Sequence, residues 1–247
     1  MLGTLYVIGV GPGDPELMTL KAVRIIKETE VICAPKGREE GVSLAMAIVG
    51  KVVDLQGKDI IEGHFPMMKT KRQGSGIRGQ GAGQADELDS KWKLTGTAIS
   101  ERLQQGKDVV FITLGDPTIY STFFYLHERL VALHPGLQVQ LIPGVSSVNA
   151  SAARAGVSLA LADEKIAILP ANYLGDLREI FTRFDSVVLM KVNKVWDKVY
   201  EILKEMGLVE KSVCVSRAAM EDEEIFYDIN NIKQDELNYF SILIVRK

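Results

Sequence analysis

Three apolar runs, each ending in a turn rich in glycine and proline, constrain the fold of this chain most. They are TLYVIGVGPGDP (4–15), VVFITLGDPTIYS (109–121) and LQVQLIPGVSS (137–147). Continuous β-branched runs are typical of strands buried on both faces, and apolar residues at helical spacing follow the first two runs. Strands that alternate with helices predict a parallel sheet with right-handed crossovers. In such a sheet the three turns lie at the carboxyl edge, where open α/β sheets bind ligands.

The texture of the sequence changes after Ser147, so we predict two α/β domains, an N-terminal domain (1–145) and a C-terminal domain (146–247). The N-terminal domain is a mostly parallel sheet flanked by helices, with strands at 4–10, 31–35, 52–55, 109–117 and 137–147 and helices at 15–30, 43–49, 95–108 and 121–136. Asp14 is the expected N-cap of the first helix. The C-terminal domain is a mixed α+β sheet, because its last two strands lack a helix between them. Its strands are expected near 165–169, 186–191, 212–216, 225–229 and 240–246, and its helices at 174–183 and 194–206.

Composition limits the classes of function. The 247 residues are 47% hydrophobic and 25% charged with a net charge of -3, which argues against a surface built to grip nucleic acid. The two cysteines form no CxxC pair, so we expect buried free thiols and no protein-bound metal. The first residues lack the basic region and long apolar core that are typical of a signal peptide, and we expect no membrane span because no apolar run reaches that length. These features predict a cytoplasmic protein without a membrane partner.

The first turn departs from the dinucleotide fingerprint, which needs G-x-G-x-x-G. Gly9, Gly11 and Gly13 alternate instead, Pro12 removes a backbone donor, and Asp14 would repel a phosphate. The turn therefore favours a ligand without phosphate.

The other two turns carry polar side chains with two possible roles. Asp116 either caps its own turn or faces a ligand, and Ser146 and Ser147 either cap the following helix or donate to a ligand. EDEE (221–224) has no spaced ligand pattern and is interpreted as a solvated turn.

Taken together, VIGVGPGDPEL, LGDPTIYSTFFYL and IPGVSSVNASAARAGVSLA resemble the three turns of the tetrapyrrole (corrin/porphyrin) methyltransferase family, in order and over the whole chain. The resemblance implies S-adenosyl-L-methionine as co-substrate, bound in a folded shape in a cleft between the two domains. It also implies a homodimer. By match, the cofactor positions are Pro12, Leu114, Gly115, Asp116, Ile119, Ser146, Ser147, Met190 and Ala218.

Within the family, HFPM (64–67) and GDPTIYSTFFYLHERL are similar to the branch that methylates C-20 of precorrin-2 or cobalt-factor II on the way to cobalamin. Members acting on uroporphyrinogen III or on later corrinoids share the fold and remain alternatives. The transfer is an in-line displacement that needs alignment more than a strong base. Tyr120 and His64 are candidates for helping the ring proton leave, and His64 is also a candidate ligand of a cobalt-bearing substrate.

A basic, glycine-rich stretch (64–93) lies inside what we predict to be a long loop. Because the tetrapyrrole carries many carboxylates, we expect Lys69, Arg72 and Arg78 to pair with them, with the loop acting as a lid. A solvated insertion is the alternative. Neutralising Arg72 and Arg78 should weaken tetrapyrrole binding and leave cofactor binding intact, and an unchanged tetrapyrrole affinity would contradict the lid.

Three rival functions follow from the same residues. A nucleotide-dependent oxidoreductase predicts G-x-G-x-x-G and an acid at the tip of the second strand, and VICAPKG has no such acid. A binding module predicts cofactor binding without turnover. A methyltransferase acting on RNA or on a protein side chain is the third rival. RNA binding predicts a broad basic face and strong salt dependence.

Overall fold

The computed structural model describes residues 1–36, 43–64, 82–171 and 176–247, with only the backbone described for His64 and 82–89. These residues form two compact units. The first unit consists of Met1–Gly11 and Pro15–Val145, and the second of Pro12–Asp14 and Ser146–Lys247.

The first unit is a parallel five-stranded sheet with the strand order β3-β2-β4-β1-β5. The strands are β1 (Leu5–Gly9), β2 (Val31–Lys36), β3 (Asp59–His64), β4 (Val109–Thr113) and β5 (Val139–Ile142), and the helices are α1 (Leu20–Glu28), α2 (Leu44–Val49), α3 (Ala82–Gln104) and α4 (Phe123–Leu133). Neighbouring residues of β1 enter different cores. Val7 packs in one core with Ile99 and Leu126, and Ile8 packs in another with Ile26 and Ile48. Helices therefore cover both faces, which explains why β1 is apolar throughout.

The second unit is a mixed sheet with the order β6-β7-β10-β8-β9. Its elements are α5 (Ser147–Ala155), β6 (Ile166–Pro170), α6 (Leu177–Arg183), β7 (Ser186–Met190), α7 (Trp196–Glu205), β8 (Ser212–Ser216), β9 (Glu224–Phe226) and β10 (Ser241–Arg246). β6 and β7 are parallel, whereas β10 is antiparallel to both β7 and β8. The predicted mixed pairing is confirmed. The fully buried Trp196 anchors the core and donates its indole N–H to the carbonyl of Ile232 at 3.0 Å.

Two predictions for the segments between α2 and β4 are wrong. Residues 82–93 are the first turns of α3, not loop, because a helical face at Trp92, Thr95, Ile99 and Leu103 is buried. Residues 52–55 are not a strand: Asp54 accepts a hydrogen bond from the Gln56 backbone N–H at 3.0 Å, and the strand starts at Asp59. The remainder of the predicted lid, 65–81, lies outside the described residues.

The first helix begins later than predicted. Its N-cap is Thr19, whose side chain accepts a hydrogen bond from the Ala22 N–H, and Pro15 starts only a short 3-10 turn. Asp14 is therefore not the cap, because the local Thr-x-x-Ala arrangement provides a better acceptor.

Both thiols are buried and free, as the sequence predicts. Burial raises the pKa of Cys33, and it raises the pKa of Cys214 to about 12. Neither thiol is therefore suited to act as a nucleophile at neutral pH. Among the described residues, every helix is too short or too polar to span a bilayer.

Candidate functional site

The turns after β1 and β4 are joined through their backbones. Gly11 and Gly115 form an isolated antiparallel bridge, with N–H to carbonyl distances of 3.3 and 2.8 Å in the two directions. Their φ angles are +81° and +71°, a conformation that side chains disfavour. The bridge brings the first two predicted ligand turns together.

The turn after β5 approaches the other two so closely that only glycine is tolerated. A Cβ atom at Gly144 would lie 2.4 Å from the carbonyl oxygen of Gly115 and 2.7 Å from that of Gly9. A Cβ atom at Gly9 would lie 2.5 Å from the Gly115 oxygen. Three strand ends thus meet backbone against backbone, as parallel pairing of β1 with β4 and β5 requires.

The Asp116 carboxylate stabilises this junction of the three turns through hydrogen bonds. One carboxylate oxygen accepts the Thr118 backbone N–H at 2.8 Å and also the Thr118 hydroxyl, and the other accepts the Gly144 N–H at 3.0 Å. The carboxylate therefore caps its own turn and also ties the β4 turn to the β5 turn. The proposed ligand contact of Asp116 stays a prediction.

The remaining predicted residues of the first unit follow β4 directly. Leu114 and Ile119 are half-buried, and Tyr120 is 49% exposed with a φ of +53°. A left-handed conformation is unusual for tyrosine, and such outliers concentrate at ligand sites.

In the second unit the predicted residues occupy the carboxyl ends of the parallel strands β7 and β8. Met190 ends β7 opposite Ile242, and Ser216 ends β8 opposite Ser241, two residues before the buried Ala218. The residues that follow are left-handed: Lys191 has φ +62°, Arg217 +55° and Ala219 +60°. The same edge of this sheet therefore carries Met190 and Ala218, each next to left-handed backbone.

Two more segments of the second unit complete the predicted set. Ser146 caps α5: its hydroxyl accepts the Asn149 N–H at 3.2 Å and contacts Asn149 Oδ1 at 2.6 Å, while Ser147 is the first residue of the helix. Capping by Ser146 is thus confirmed. Pro12 is buried, and a Cβ atom at its neighbour Gly13 would lie 2.6 Å from the Ala219 carbonyl.

Charge near Ala218 is locally balanced. The Arg217 guanidinium hydrogen-bonds Asp222 and thereby lowers the pKa of that carboxyl. Glu223, from the EDEE stretch, is nearly buried and paired with Arg154, so the prediction of a solvated turn is wrong for this residue. Sequence alone gave no signal for Glu223, since its partner lies 69 residues away.

The rest of the predicted set is only partly described. The backbone of His64 ends β3 opposite Lys36, while Lys69, Arg72 and Arg78 lie outside the described residues. No group of three potential metal ligands occurs among the described side chains.

The charges and the backbone hydrogen-bond donors of the three turns suit a ligand without phosphate. The three turns (9–15, 113–121 and 142–147) contain no lysine, arginine or histidine, and four of their positions, Pro12, Pro15, Pro117 and Pro143, lack a backbone N–H. They do contain the carboxylates Asp14 and Asp116. S-adenosylmethionine, which carries a sulfonium and an ammonium group but no phosphate, matches this chemistry.

Comparison with known proteins assigns the class. The family model "Tetrapyrrole (Corrin/Porphyrin) Methylases" matches residues 4–232. The chain therefore belongs to the tetrapyrrole methylase family.

Two curated relatives extend over the whole chain. The cobalt-precorrin-2 C(20)-methyltransferase of Salmonella typhimurium is 31% identical, covering 100% of this chain and 98% of the relative. A probable cobalt-precorrin-2 C(20)-methyltransferase of Methanocaldococcus jannaschii is 34% identical, covering 98% and 96%.

Solved structures share the fold. A cobalt precorrin-4 methyltransferase superimposes with a TM-score of 0.73 at 20% identity, covering 98% of this chain and 94% of the other. Uroporphyrin-III C-methyltransferase from Thermus thermophilus, in complex with S-adenosylhomocysteine, has a TM-score of 0.64 at 20% identity, covering 99% and 98%.

We predict that Gly144→Ala destabilises the protein by about 1–3 kcal/mol, because the added methyl overlaps backbone that cannot move aside. Gly136→Ala is the matched control, since its Cβ atom would meet nothing within 4 Å. Urea unfolding measures both. Equal stability of the two variants would contradict the close packing of the three turns.

We predict that Asp116→Ala lowers stability by about 1–3 kcal/mol, since it leaves the Gly144 N–H without its charged acceptor. The control is Asp54→Ala, which removes a similar turn contact away from the strand ends. Calorimetric titration with S-adenosylhomocysteine should show weaker binding for Asp116→Ala only. Comparable affinity in both variants would show that the junction does not shape the site.

Proposed function

We propose that this chain transfers a methyl group from S-adenosylmethionine to C-20 of precorrin-2 or of its cobalt-bearing counterpart, in cobalamin biosynthesis. The observation that carries the proposal is the similarity, over the full length of both proteins, to curated C(20)-methyltransferases at 31% and 34% identity. Methylation of another tetrapyrrole position is the second candidate, because solved relatives of the same fold act on uroporphyrin III and cobalt precorrin-4.

S-adenosylmethionine supplies a methyl group that its sulfonium makes electrophilic. The electron pair of C-20 forms the new carbon–carbon bond as the sulfur–carbon bond breaks, and the C-20 proton then leaves the ring. The chain's part is to hold the two reactants in line and to exclude water. We assign cofactor binding to Pro12 and Ser146–Ser147, to the β4 turn through Leu114, Gly115, Asp116 and Ile119, and to Met190 and Ala218.

Backbone accounts for most of this proposed site. The Gly11–Gly115 bridge and the Gly9–Gly144 contact fix the turns before a ligand arrives, so little ordering is needed on binding. Family membership favours a methyltransferase over a nucleotide-dependent oxidoreductase. The three turns also favour it, because they lack the basic side chains that bind phosphate. Lys69, Arg72 and Arg78 stay our candidates for the substrate carboxylates.

Mass spectrometry after incubation with S-adenosylmethionine and each substrate, precorrin-2 or its cobalt form, tests the function. We expect one added methyl group on one of them, located at C-20 by NMR. A product methylated elsewhere would support the second candidate. No methylation of either substrate, by protein that binds S-adenosylhomocysteine, would contradict the C-20 assignment.

We assign the proton-handling role to Tyr120, since it directly follows the proposed cofactor residue Ile119, has a strained backbone and is 49% exposed. His64 is the second candidate. Tyr120→Phe should lower kcat by on the order of 10²-fold, the lower range for a lost proton-transfer group, with S-adenosylhomocysteine affinity unchanged. Tyr227→Phe, at a 67% exposed tyrosine, is the control. An unchanged kcat in Tyr120→Phe would assign the step elsewhere.

We also expect a cytoplasmic homodimer, as the family resemblance implies. Sedimentation equilibrium should give twice the mass of one chain, and fractionation of the source cells should recover the protein without membranes. A monomer, or recovery in the membrane fraction, would contradict the respective expectation.

A further inference from the structure

Glu223 is a nearly buried carboxylate in an otherwise charged and exposed stretch. Its side chain is 9% exposed, whereas that of its partner Arg154 is 58% exposed. Arg154 Nε contacts both carboxylate oxygens, at 2.7 and 2.9 Å. The second oxygen also accepts the backbone N–H of Ala219 at 2.6 Å. The carboxylate thus binds one side chain and one backbone group.

These partners belong to segments that the proposed function assigns to the cofactor. Arg154 lies in the last turn of α5, the helix that begins at Ser147. Ala219 directly follows Ala218, and its carbonyl lies against Gly13, next to Pro12. All of these residues belong to the second compact unit. Glu223 therefore links α5 to the loop that carries Ala218 and supports Pro12–Gly13.

The loop after β8 needs such support. Arg217 and Ala219 are both left-handed, and each such residue disfavours the folded loop. Two backbone hydrogen bonds, Met220 N–H to the Arg217 carbonyl at 2.9 Å and Glu223 N–H to the Met220 carbonyl at 3.3 Å, close turns within it. The Glu223 carboxylate adds a hydrogen bond to the backbone N–H of Ala219, which is one of the two left-handed residues.

We propose that Glu223, oriented by Arg154, is a positioning residue that holds the Ala218–Met220 loop in the shape that binds S-adenosylmethionine. This inference rests on the proposed function and names residues that act through the loop without touching the reacting atoms. An exposed ion pair alone contributes little to stability. Glu223 differs because it is buried and bonded to the backbone, so its removal leaves the Ala219 N–H without its acceptor.

The two partners should therefore differ in effect. Glu223→Ala removes both interactions, whereas Arg154→Ala leaves the bond to Ala219 in place. Glu223→Gln keeps an acceptor for the Ala219 N–H and should partly rescue binding. The matched control is Glu205→Ala, which breaks the Arg178–Glu205 ion pair between α6 and α7 of the same unit.

Calorimetric titration with S-adenosylhomocysteine, thermal unfolding and steady-state kinetics on the full chain test this inference. We expect Glu223→Ala to raise the Kd for S-adenosylhomocysteine by on the order of tenfold, the loss of one charged hydrogen bond, and Arg154→Ala to have a smaller effect. The KM for S-adenosylmethionine should rise with the Kd, while the KM for the tetrapyrrole stays unchanged. Glu205→Ala should leave the Kd unchanged.

The outcomes separate this inference from the proposed function. If the wild type binds S-adenosylhomocysteine and Glu223→Ala binds it with the same Kd, the inference alone is overturned. A lower unfolding temperature with unchanged affinity would do the same, because it would show a purely structural role. Absence of binding by the wild type would overturn both.

Discussion

The backbone contact among three strand ends is the constraint on which the first unit depends. Gly9, Gly115 and Gly144 pack against one another at distances that no side chain tolerates. Asp116 then ties two of the turns by accepting the Gly144 N–H. Because β1, β4 and β5 are adjacent and parallel, their carboxyl ends must meet, and the glycines allow them to meet without a gap. The result is a rigid surface made mostly of backbone.

The second unit also fixes the backbone at the ends of its strands, but it does so with side chains. Met190 lies at the end of β7 and Ala218 just beyond β8, where Lys191, Arg217 and Ala219 are left-handed without being glycine. A non-glycine residue stays left-handed only where surrounding interactions hold its backbone in that conformation. In the loop after β8, Glu223 and Arg154 provide such interactions. The junction of the three turns thus uses glycine to avoid strain, whereas the loop after β8 uses side chains to hold strained backbone in place.

Sequence predicted the parallel first sheet, the mixed second sheet and the two buried thiols, because these follow from local patterns: continuous β-branched runs, strands without an intervening helix, and cysteines without partners. It failed at α3, because the sequence of 82–91 is mostly polar and lacks a clear helical period, although Trp92, Ile99 and Leu103 of the same helix are buried. It also failed at Glu223, since this carboxylate of EDEE pairs with Arg154, which lies far away in the chain. The capping role of Ser146 was readable because caps are local, whereas the link from Asp116 to Gly144 spans 28 residues and was not.

We propose that the turns after β1, β4 and β5, which offer few hydrogen-bond donors, hold S-adenosylmethionine. A crystal structure of the chain with S-adenosylhomocysteine tests this proposal most directly. We predict that the ligand contacts the backbone of Gly115–Ile119 and that no lysine or arginine touches it. A ligand bound away from the β4 turn, or held by basic side chains, would contradict the account.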